Sequence, residues 1–185
     1  MRNEITAKAP RRQGTKRGLA RANPSLAPWR LGGLAVILLF ACNGHEPEPS
    51  GIGPYIFGKT TVASIHDGNC QPTELRDGRK AIWCMALPPI KVGDHAAEVY
   101  AYFAGTEPTS PLIELQLSVR GCVEDQADRW MRARFGPPIE NKATREYWKN
   151  SFMWMAAKLP SEPGRCLIHF LPLSENAEIE RIEQE

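Results

Sequence analysis

The chain of 185 residues lacks the compact motifs by which many enzymes are recognised. It contains no Gly-x-Ser-x-Gly nucleophile turn and no Gly-x-Gly-x-x-Gly dinucleotide fingerprint. No two of its histidines stand four residues apart, which is the spacing of a helical metal site. We therefore expect a non-enzymatic protein without a metal site. The histidines are His45, His66, His95 and His169.

Positive charge is scarce beyond the first 41 residues. Residues 1–41 carry eight Lys and Arg and one Glu, whereas residues 42–185 carry 15 Lys and Arg and 20 Asp and Glu, a net charge of −5. A protein of that balance is poorly suited to neutralising phosphates, so we expect no nucleic-acid partner. With 42% hydrophobic and 8% aromatic residues, the chain can still bury a core.

One stretch matches the phosphate-loop pattern only literally. Gly53 to Thr60 fits Gly-x-x-x-x-Gly-Lys-Thr. No buried strand is predicted before Gly53, and Pro54, Tyr55 and Phe57 make a poor cradle of backbone amides. We expect no nucleotide site here.

A long apolar run is also missing. Leu31 to Ala41 comprises 11 apolar or small residues, which as a helix would be about 16 Å long, whereas a bilayer core needs about 20 apolar residues. The eight Lys and Arg before this run favour retention of that end in the cytoplasm. Residues 1–41 are thus predicted to be an export signal; the pair Arg11-Arg12 leaves twin-arginine export open as a route.

The apolar run ends in Leu39-Phe40-Ala41-Cys42, which resembles the lipobox of bacterial lipoprotein precursors. Leu39, Ala41 and Cys42 match the family's pattern, whereas Phe40 occupies a position that usually holds a smaller residue. The resemblance implies cleavage before Cys42, a diacylglyceryl thioether on its sulfur and acylation of its amino group, with no other cofactor. The alternative is a plain secretory signal with an accidental cysteine.

The resemblance also implies a location. Asp after the lipidated cysteine often marks retention in the inner membrane of Gram-negative bacteria, and here Asn43 follows Cys42, which favours the outer membrane. Residues 42–54 are rich in Pro, Gly and Glu, which indicates a flexible tether. We expect a protein of the cell envelope whose partners are the membrane, through the lipid, and an unidentified envelope protein.

Four cysteines remain besides Cys42, and none belongs to a Cys-x-x-Cys pair of the kind that metal sites use. An even number in an exported domain favours two disulfides. Three pairings are possible. We prefer Cys70–Cys84, which flanks a polar loop, and Cys122–Cys166, which would tie the start of a helix to a strand.

Hydrophobic periodicity predicts an α+β domain over residues 55–173. A short helix is expected over residues 57–68, although its β-branched residues leave a strand open. Residues 123–135 predict a clearer amphipathic helix, and residues 69–80 a polar loop. Six strands are expected, three after each helix, at residues 81–87, 96–103, 111–120, 145–149, 152–158 and 165–171.

The resulting order, αβββ-αβββ, predicts a two-layer sandwich of mainly antiparallel sheet with helices on one face. Together with the lipobox and the helix start near Thr60 and Thr61, this order weakly resembles small exported α/β modules such as β-lactamase-inhibitor proteins and OmlA-like outer-membrane assembly lipoproteins. That resemblance implies a binding module and assigns no binding residue. Residues 174–185 are acidic and are expected to form a frayed helix or a disordered tail.

Aromatic residues concentrate in the hairpin predicted over residues 145–158. Alternation puts Tyr147 and Trp148 on opposite faces of the sheet. We expect Tyr147 on the helix side and Trp148 on the open side, while Phe152 and Trp154 share a face. Trp148, Phe152 and Trp154 are therefore the candidate binding face, with ordinary core packing as the alternative.

The sequence as a whole thus predicts a lipid-anchored envelope protein that binds another protein without catalysis. A ligand-binding or sensing lipoprotein is the first alternative. An exported hydrolase is the second.

Overall fold

The computed structural model describes residues 48–142, 144–162 and 164–184. The predicted export signal, Cys42 and the first part of the predicted tether lie outside these residues. No helix within the described ranges is long and apolar enough to cross a membrane.

The described chain is rich in strands and holds two α-helices. The strands are β1 (Gly51–Ile52), β2 (Tyr55–Ile56), β3 (Asn69–Glu74), β4 (Lys80–Met85), β5 (Ile90–Val92), β6 (His95–Ala104), β7 (Leu112–Arg120), β8 (Glu140–Lys142), β9 (Arg145–Lys149), β10 (Met153–Glu162) and β11 (Arg165–Pro172). The α-helices are α1 (Glu124–Phe135) and α2 (Asn176–Gln184), and a 3₁₀ helix spans Val62–Ser64.

Nine strands form one antiparallel sheet in the order β3-β4-β6-β7-β11-β10-β9-β8, with β5 also paired to β6. Two meanders meet where β7 pairs with β11, and there Leu117 lies opposite Ile168. Helix α1 connects the central strand β7 to the edge strand β8. The prediction of a mainly antiparallel sheet is confirmed.

The main core lies between the sheet and α1, on what we call the α1 face. Apolar side chains of alternating positions in β6, β7, β10 and β11 point to this face, and Ala127 and Met131 of α1 pack against them. Acidic residues occupy the first turn of α1 and Arg132 and Arg134 the last, as the helix dipole favours. The helix ends at Phe135 and is capped by Gly136, whose φ of 77° suits glycine. The prediction of a helix over 123–135 is thereby confirmed.

The second helix covers part of the opposite face, which we call the α2 face. Ile179 and Ile182 of α2 are buried against Tyr147, Ala156 and Leu171 of the sheet. A bidentate ion pair between Arg79 and Glu175, with nitrogen–oxygen distances of 3.2 and 2.6 Å, lies just before the helix. The two α-helices therefore lie on opposite faces, and the predicted arrangement with helices on one face is wrong.

The helix predicted over residues 57–68 is wrong as well. Only the 3₁₀ helix of three residues forms in this segment. The backbone N–H groups of Val62 and Ala63 donate to the carbonyls of Ser110 and Pro108, at 3.2 and 2.8 Å, and the segment is bridged to Pro111 through Thr61. These hydrogen bonds to the β6–β7 connection replace the intrahelical bonds that an α-helix needs.

The predicted polar loop over residues 69–80 contains the edge strand β3. Its polar side chains are mostly exposed, because an edge strand that overlies no core needs no apolar face. Backbone pairing with β4, in which Cys70 lies opposite Cys84, maintains the strand. Strands β5 and β8 were not expected either, so the order αβββ-αβββ is not confirmed.

The predicted tether over residues 42–54 is packed against the domain from Glu48 onward. Ile52 is buried in the main core, together with Tyr55 just after the tether. Ser151 N–H donates to Glu48 Oε2 at 2.8 Å, and Asn150 Nδ2 donates to the carbonyl of Pro49 at 2.9 Å. Burial of an apolar residue therefore overrides the flexibility that the composition indicated.

Candidate binding groove

Trp148 belongs to the main core. It is 1% exposed and its Nε1–H donates to the carbonyl of Gly136 at 2.9 Å, just after α1. The expected alternation of Tyr147 and Trp148 holds, but the two faces are reversed. Trp148 lies opposite Met155, whose side chain points to the α1 face, while Tyr147 is buried on the α2 face. The prediction that Trp148 is an exposed binding residue is wrong.

The other two predicted binding aromatics do not form one surface. Phe152 is 48% exposed in the β9–β10 turn. Trp154 packs beside α2, where its Nε1–H donates to Asn176 Oδ1 at 2.7 Å and Lys149 Nζ lies 4.1 Å from its ring centroid. Trp154 thus contributes to the docking of α2, and the hairpin offers no continuous aromatic face.

The α2 face carries a groove of about 520 Å³ between α2 and β4. One side of it is an aromatic wall made of Trp83 on β4 and of Tyr100 and Tyr102 on β6. The ring centroid of Trp83 lies 6.1 Å from that of Tyr100 and 6.2 Å from that of Tyr102, with interplanar angles of 24° and 17°. Each of the three side chains is partly exposed, so the wall can contact a bound molecule.

Both tyrosines of the wall keep their protons at neutral pH. Burial, and then the charge of Glu114, raise the pKa of Tyr102 to about 12. Burial, followed by a hydrogen bond to Glu98, also raises the pKa of Tyr100. The Tyr100 hydroxyl donates that bond to Glu98 Oε2 at 3.0 Å. The wall therefore presents apolar rings with neutral polar ends.

Glu114 and His169 form a buried pair at the edge of the groove, where His169 lines the groove and Glu114 lines a smaller adjoining cavity. His169 Nδ1 lies 2.7 Å from Glu114 Oε1, and Gln116 Nε2 donates to the same oxygen at 2.8 Å. Burial alone raises the pKa of Glu114, but the hydrogen bonds from His169 and Gln116 and the attraction of His169 outweigh it and lower the pKa below its usual value. Glu114 is thus a stable carboxylate that fixes the orientation of the His169 ring.

Ser118 lines the same groove on β7. In the described part of the chain its hydroxyl makes no hydrogen bond to His169, which is the contact that would activate a serine nucleophile. His66 is exposed and His95 is partly buried, while His45 lies outside the described residues. Among the described side chains no group of three or more His, Cys, Asp and Glu is arranged to hold a metal ion.

Positive charge concentrates at one end of the groove. Arg145, Lys158 and Arg165 line it, and none of the described lining residues is Asp or Glu. Lys158 lies directly opposite Arg145 in the β9–β10 ladder, and Arg165 lies opposite Arg120 in the β7–β11 ladder. Such opposed like charges destabilise a sheet. The groove is therefore cationic although residues 42–185 as a whole carry a net charge of −5.

Neighbouring groups offset part of this repulsion. Arg120 forms an ion pair with Glu98 at 3.0 Å. Arg145 donates to the carbonyl of Ile182 near the end of α2, where a helix favours positive charge. Lys158 has a partly buried side chain that lines the groove, and it forms no ion pair with a carboxylate within the described residues.

Both expected disulfides are present. Cys70 is joined to Cys84 and Cys122 to Cys166, which are the two preferred pairs. The first links β3 to β4, and the second links the start of the α1 region to β11. Cys84 and Cys166 are fully buried in the main core. The lipidation site Cys42 lies outside the described residues and stays a prediction.

The sequence predicts which sheet face several groove residues share, but it does not predict that these residues lie together. Alternation in β6 puts Tyr100 and Tyr102 on one face, and alternation in β7 does the same for Glu114 and Gln116. Nothing in the local pattern showed that β11, which carries His169, pairs with β7. The groove was therefore missed because it depends on which strands are neighbours.

No protein-family model, curated protein or solved structure matches this chain.

Proposed function

We propose that this protein is a lipid-anchored protein of the bacterial cell envelope that acts as a non-enzymatic protein-binding module. The observation that carries the binding role is the aromatic wall of Trp83, Tyr100 and Tyr102 along an open groove. Aromatic side chains with a polar end are enriched at binding surfaces, because they supply a large contact area at little entropic cost.

The lipobox ending in Cys42 supports the anchor. Glu48 and Pro49 contact the β9–β10 turn, so the packed domain begins only six residues after Cys42. Six residues span at most about 20 Å. The domain would thus stay close to the membrane surface, with the outer membrane favoured by Asn43.

A ligand-binding or sensing lipoprotein is the alternative, and the size of the groove favours it over an exported hydrolase. A volume of about 520 Å³ falls within the usual range for small-molecule sites. The groove is open along the sheet, however, and its wall is partly exposed, which suits a protein segment better than an enclosed ligand.

A photo-crosslinking amino acid in place of Met85, which lines the groove, tests the binding role in cells that produce the lipidated protein. We expect a crosslinked envelope protein, and we expect Trp83→Ala to reduce the yield. The matched control places the crosslinker at Arg129, which is exposed on α1. Equal crosslinking from both positions would refute binding through the groove. An adduct of small-molecule mass would favour the alternative.

A further inference from the structure

We propose that the groove on the α2 face binds an acidic, extended segment of the partner protein. This inference rests on the proposed binding function and adds the chemistry of the partner. Three features support it, namely the charge of the lining, the like-charge pairs of the sheet, and the length and walls of the groove.

The charge of the groove lining favours a negatively charged partner. Arg145, Lys158 and Arg165 approach the groove from three neighbouring strands, and no described Asp or Glu lines it. Residues 42–185 carry a net charge of −5, so this cationic region contrasts with that part of the chain as a whole. Complementary charge steers a partner and excludes like-charged competitors. A nucleic acid would meet the same cations but would be repelled by the acidic remainder.

The like-charge pairs point to the same partner. Lys158 lies opposite Arg145 and Arg165 opposite Arg120, and like charges placed in this way repel each other across a sheet. The ion pair of Arg120 with Glu98 and the hydrogen bond of Arg145 to Ile182 reduce this repulsion. A carboxylate placed between the members of such a pair would turn repulsion into two attractions. Residues that lower the stability of a fold without a structural benefit are typical of functional sites.

The shape of the groove suits an extended chain. A second cavity of about 280 Å³ shares Tyr102, Gln116, Leu167 and His169 with the groove and continues it between β3 and α2. Glu74, Glu114 and Glu178 line this continuation together with Arg76 and Arg181, so the carboxylates of the segment are expected at the opposite end, beside Arg145, Lys158 and Arg165. The distance along β11 from Arg165 to His169 is about 13 Å at 3.3 Å per residue. An extended segment of about four residues covers this length.

Such a segment places alternate side chains on opposite sides. Apolar side chains would contact the aromatic wall and Leu167, while carboxylates would reach Lys158 and Arg165. The partner segment is therefore expected to alternate acidic and aromatic or aliphatic residues.

A peptide-binding experiment tests the charge requirement. The probe is a fluorescein-labelled pentapeptide, Glu-Phe-Glu-Phe-Glu, and its neutral match has Gln in place of each Glu. Fluorescence anisotropy with the lipidated full-length protein in neutral detergent micelles gives both dissociation constants. We expect the acidic peptide to bind about tenfold more tightly or better, and to weaken with added salt because the attraction is screened.

Charge-removing variants locate the site. Lys158→Gln and Arg165→Gln should each weaken binding of the acidic peptide about threefold or more and leave the neutral peptide unaffected. Arg129→Gln removes the same charge from the exposed side of α1 and should change neither affinity. Thermal melts of all three variants confirm that they fold.

The outcomes separate this inference from the proposed function. Equal affinities for the two peptides, or no loss in Lys158→Gln and Arg165→Gln, would overturn the acidic partner. No binding of the acidic peptide would overturn it too. In those cases, if a crosslinker at position 85 still captures more partner protein than one at position 129, the binding role of the groove stands. If the crosslinkers at positions 85 and 129 capture equal amounts, the proposed function itself fails.

Discussion

His169 on β11 and Glu114 on β7 form a buried pair, with 2.7 Å between Nδ1 and Oε1 and side chains that are 8% and 7% exposed. The two residues are 55 positions apart in the chain and meet because β7 and β11 are neighbours. Because so little water reaches the two side chains, each supplies the hydrogen-bond partner that water would otherwise provide to the other.

Replacing His169 by Ala should therefore destabilise the protein strongly. The variant leaves the Glu114 carboxylate buried with Gln116 as its remaining hydrogen-bond donor among the described side chains, and loss of one partner of a buried pair costs about 3 kcal/mol or more. Urea unfolding at neutral pH measures this. The control is Glu98→Gln, which breaks the exposed pair with Arg120 and should cost less than about 1 kcal/mol. Similar losses in both variants would contradict the importance of the buried pair.

The same pair predicts how stability depends on pH. The pKa of Glu114 is lowered in the folded protein, because hydrogen bonds and the attraction of His169 outweigh burial. Its contribution is therefore present above the unfolded pKa and is lost as the pH falls through the folded pKa. Between about pH 6 and pH 3, the unfolding free energy of the parent should decrease more steeply than that of Glu114→Gln. Parallel curves would show that Glu114 is not the responsible group.

Trp148→Ala should lower the thermal midpoint by many degrees. Truncation of a buried Trp costs about 3–5 kcal/mol, and this residue also loses its hydrogen bond to Gly136. Phe152→Ala, in the same hairpin but 48% exposed, should change stability by about 0.5 kcal/mol or less. Differential scanning calorimetry of both variants compares them. A melting point near the parent's for Trp148→Ala would mean that Trp148 is not in the core.

The two disulfides should contribute unequally. Cys70–Cys84 closes a sequence separation of 14 residues and Cys122–Cys166 one of 44. The chain-entropy model gives about 3 and about 4 kcal/mol for such loops. Each pair contains one fully buried cysteine, so the double variants Cys70→Ala/Cys84→Ala and Cys122→Ala/Cys166→Ala are matched. Chemical unfolding should show the greater loss in the second, and the reverse order would contradict the entropic account.

Cys42→Ala should abolish membrane association if the lipobox prediction is right. The acyl chains bury many methylene groups at about 0.8 kcal/mol each, far more than a marginal anchor supplies. Fractionation of membranes after a high-salt wash measures the effect. The Phe40→Ala variant, which brings the lipobox closer to the family's pattern, should still be processed and membrane-bound. A cleaved Cys42→Ala protein that remains with the membranes would show that the anchor lies elsewhere.

Local pattern alone determined several elements of this protein. The amphipathic stripe of α1, the alternation of β7 and the strands β9 to β11 follow from residue spacing, because period and side-chain direction are set by each segment's own backbone. The two disulfides also followed, since an even number of cysteines in an exported domain favours pairing. The lipobox is a sequence pattern as well, and Cys42 stays a prediction.

Only the tertiary structure decided the rest. Backbone N–H groups within residues 57–68 donate hydrogen bonds to the β6–β7 connection instead of forming an α-helix. Strand β3 is maintained by its pairing with β4, and α2 is stabilised by burial of Ile179 and Ile182. Alternation placed Tyr147 and Trp148 on opposite faces, but which face carries α1 depends on how β9 pairs within the sheet. The groove has the same origin, because Trp83, Tyr100 and His169 come together only through strand pairing between distant segments, which local spacing does not encode.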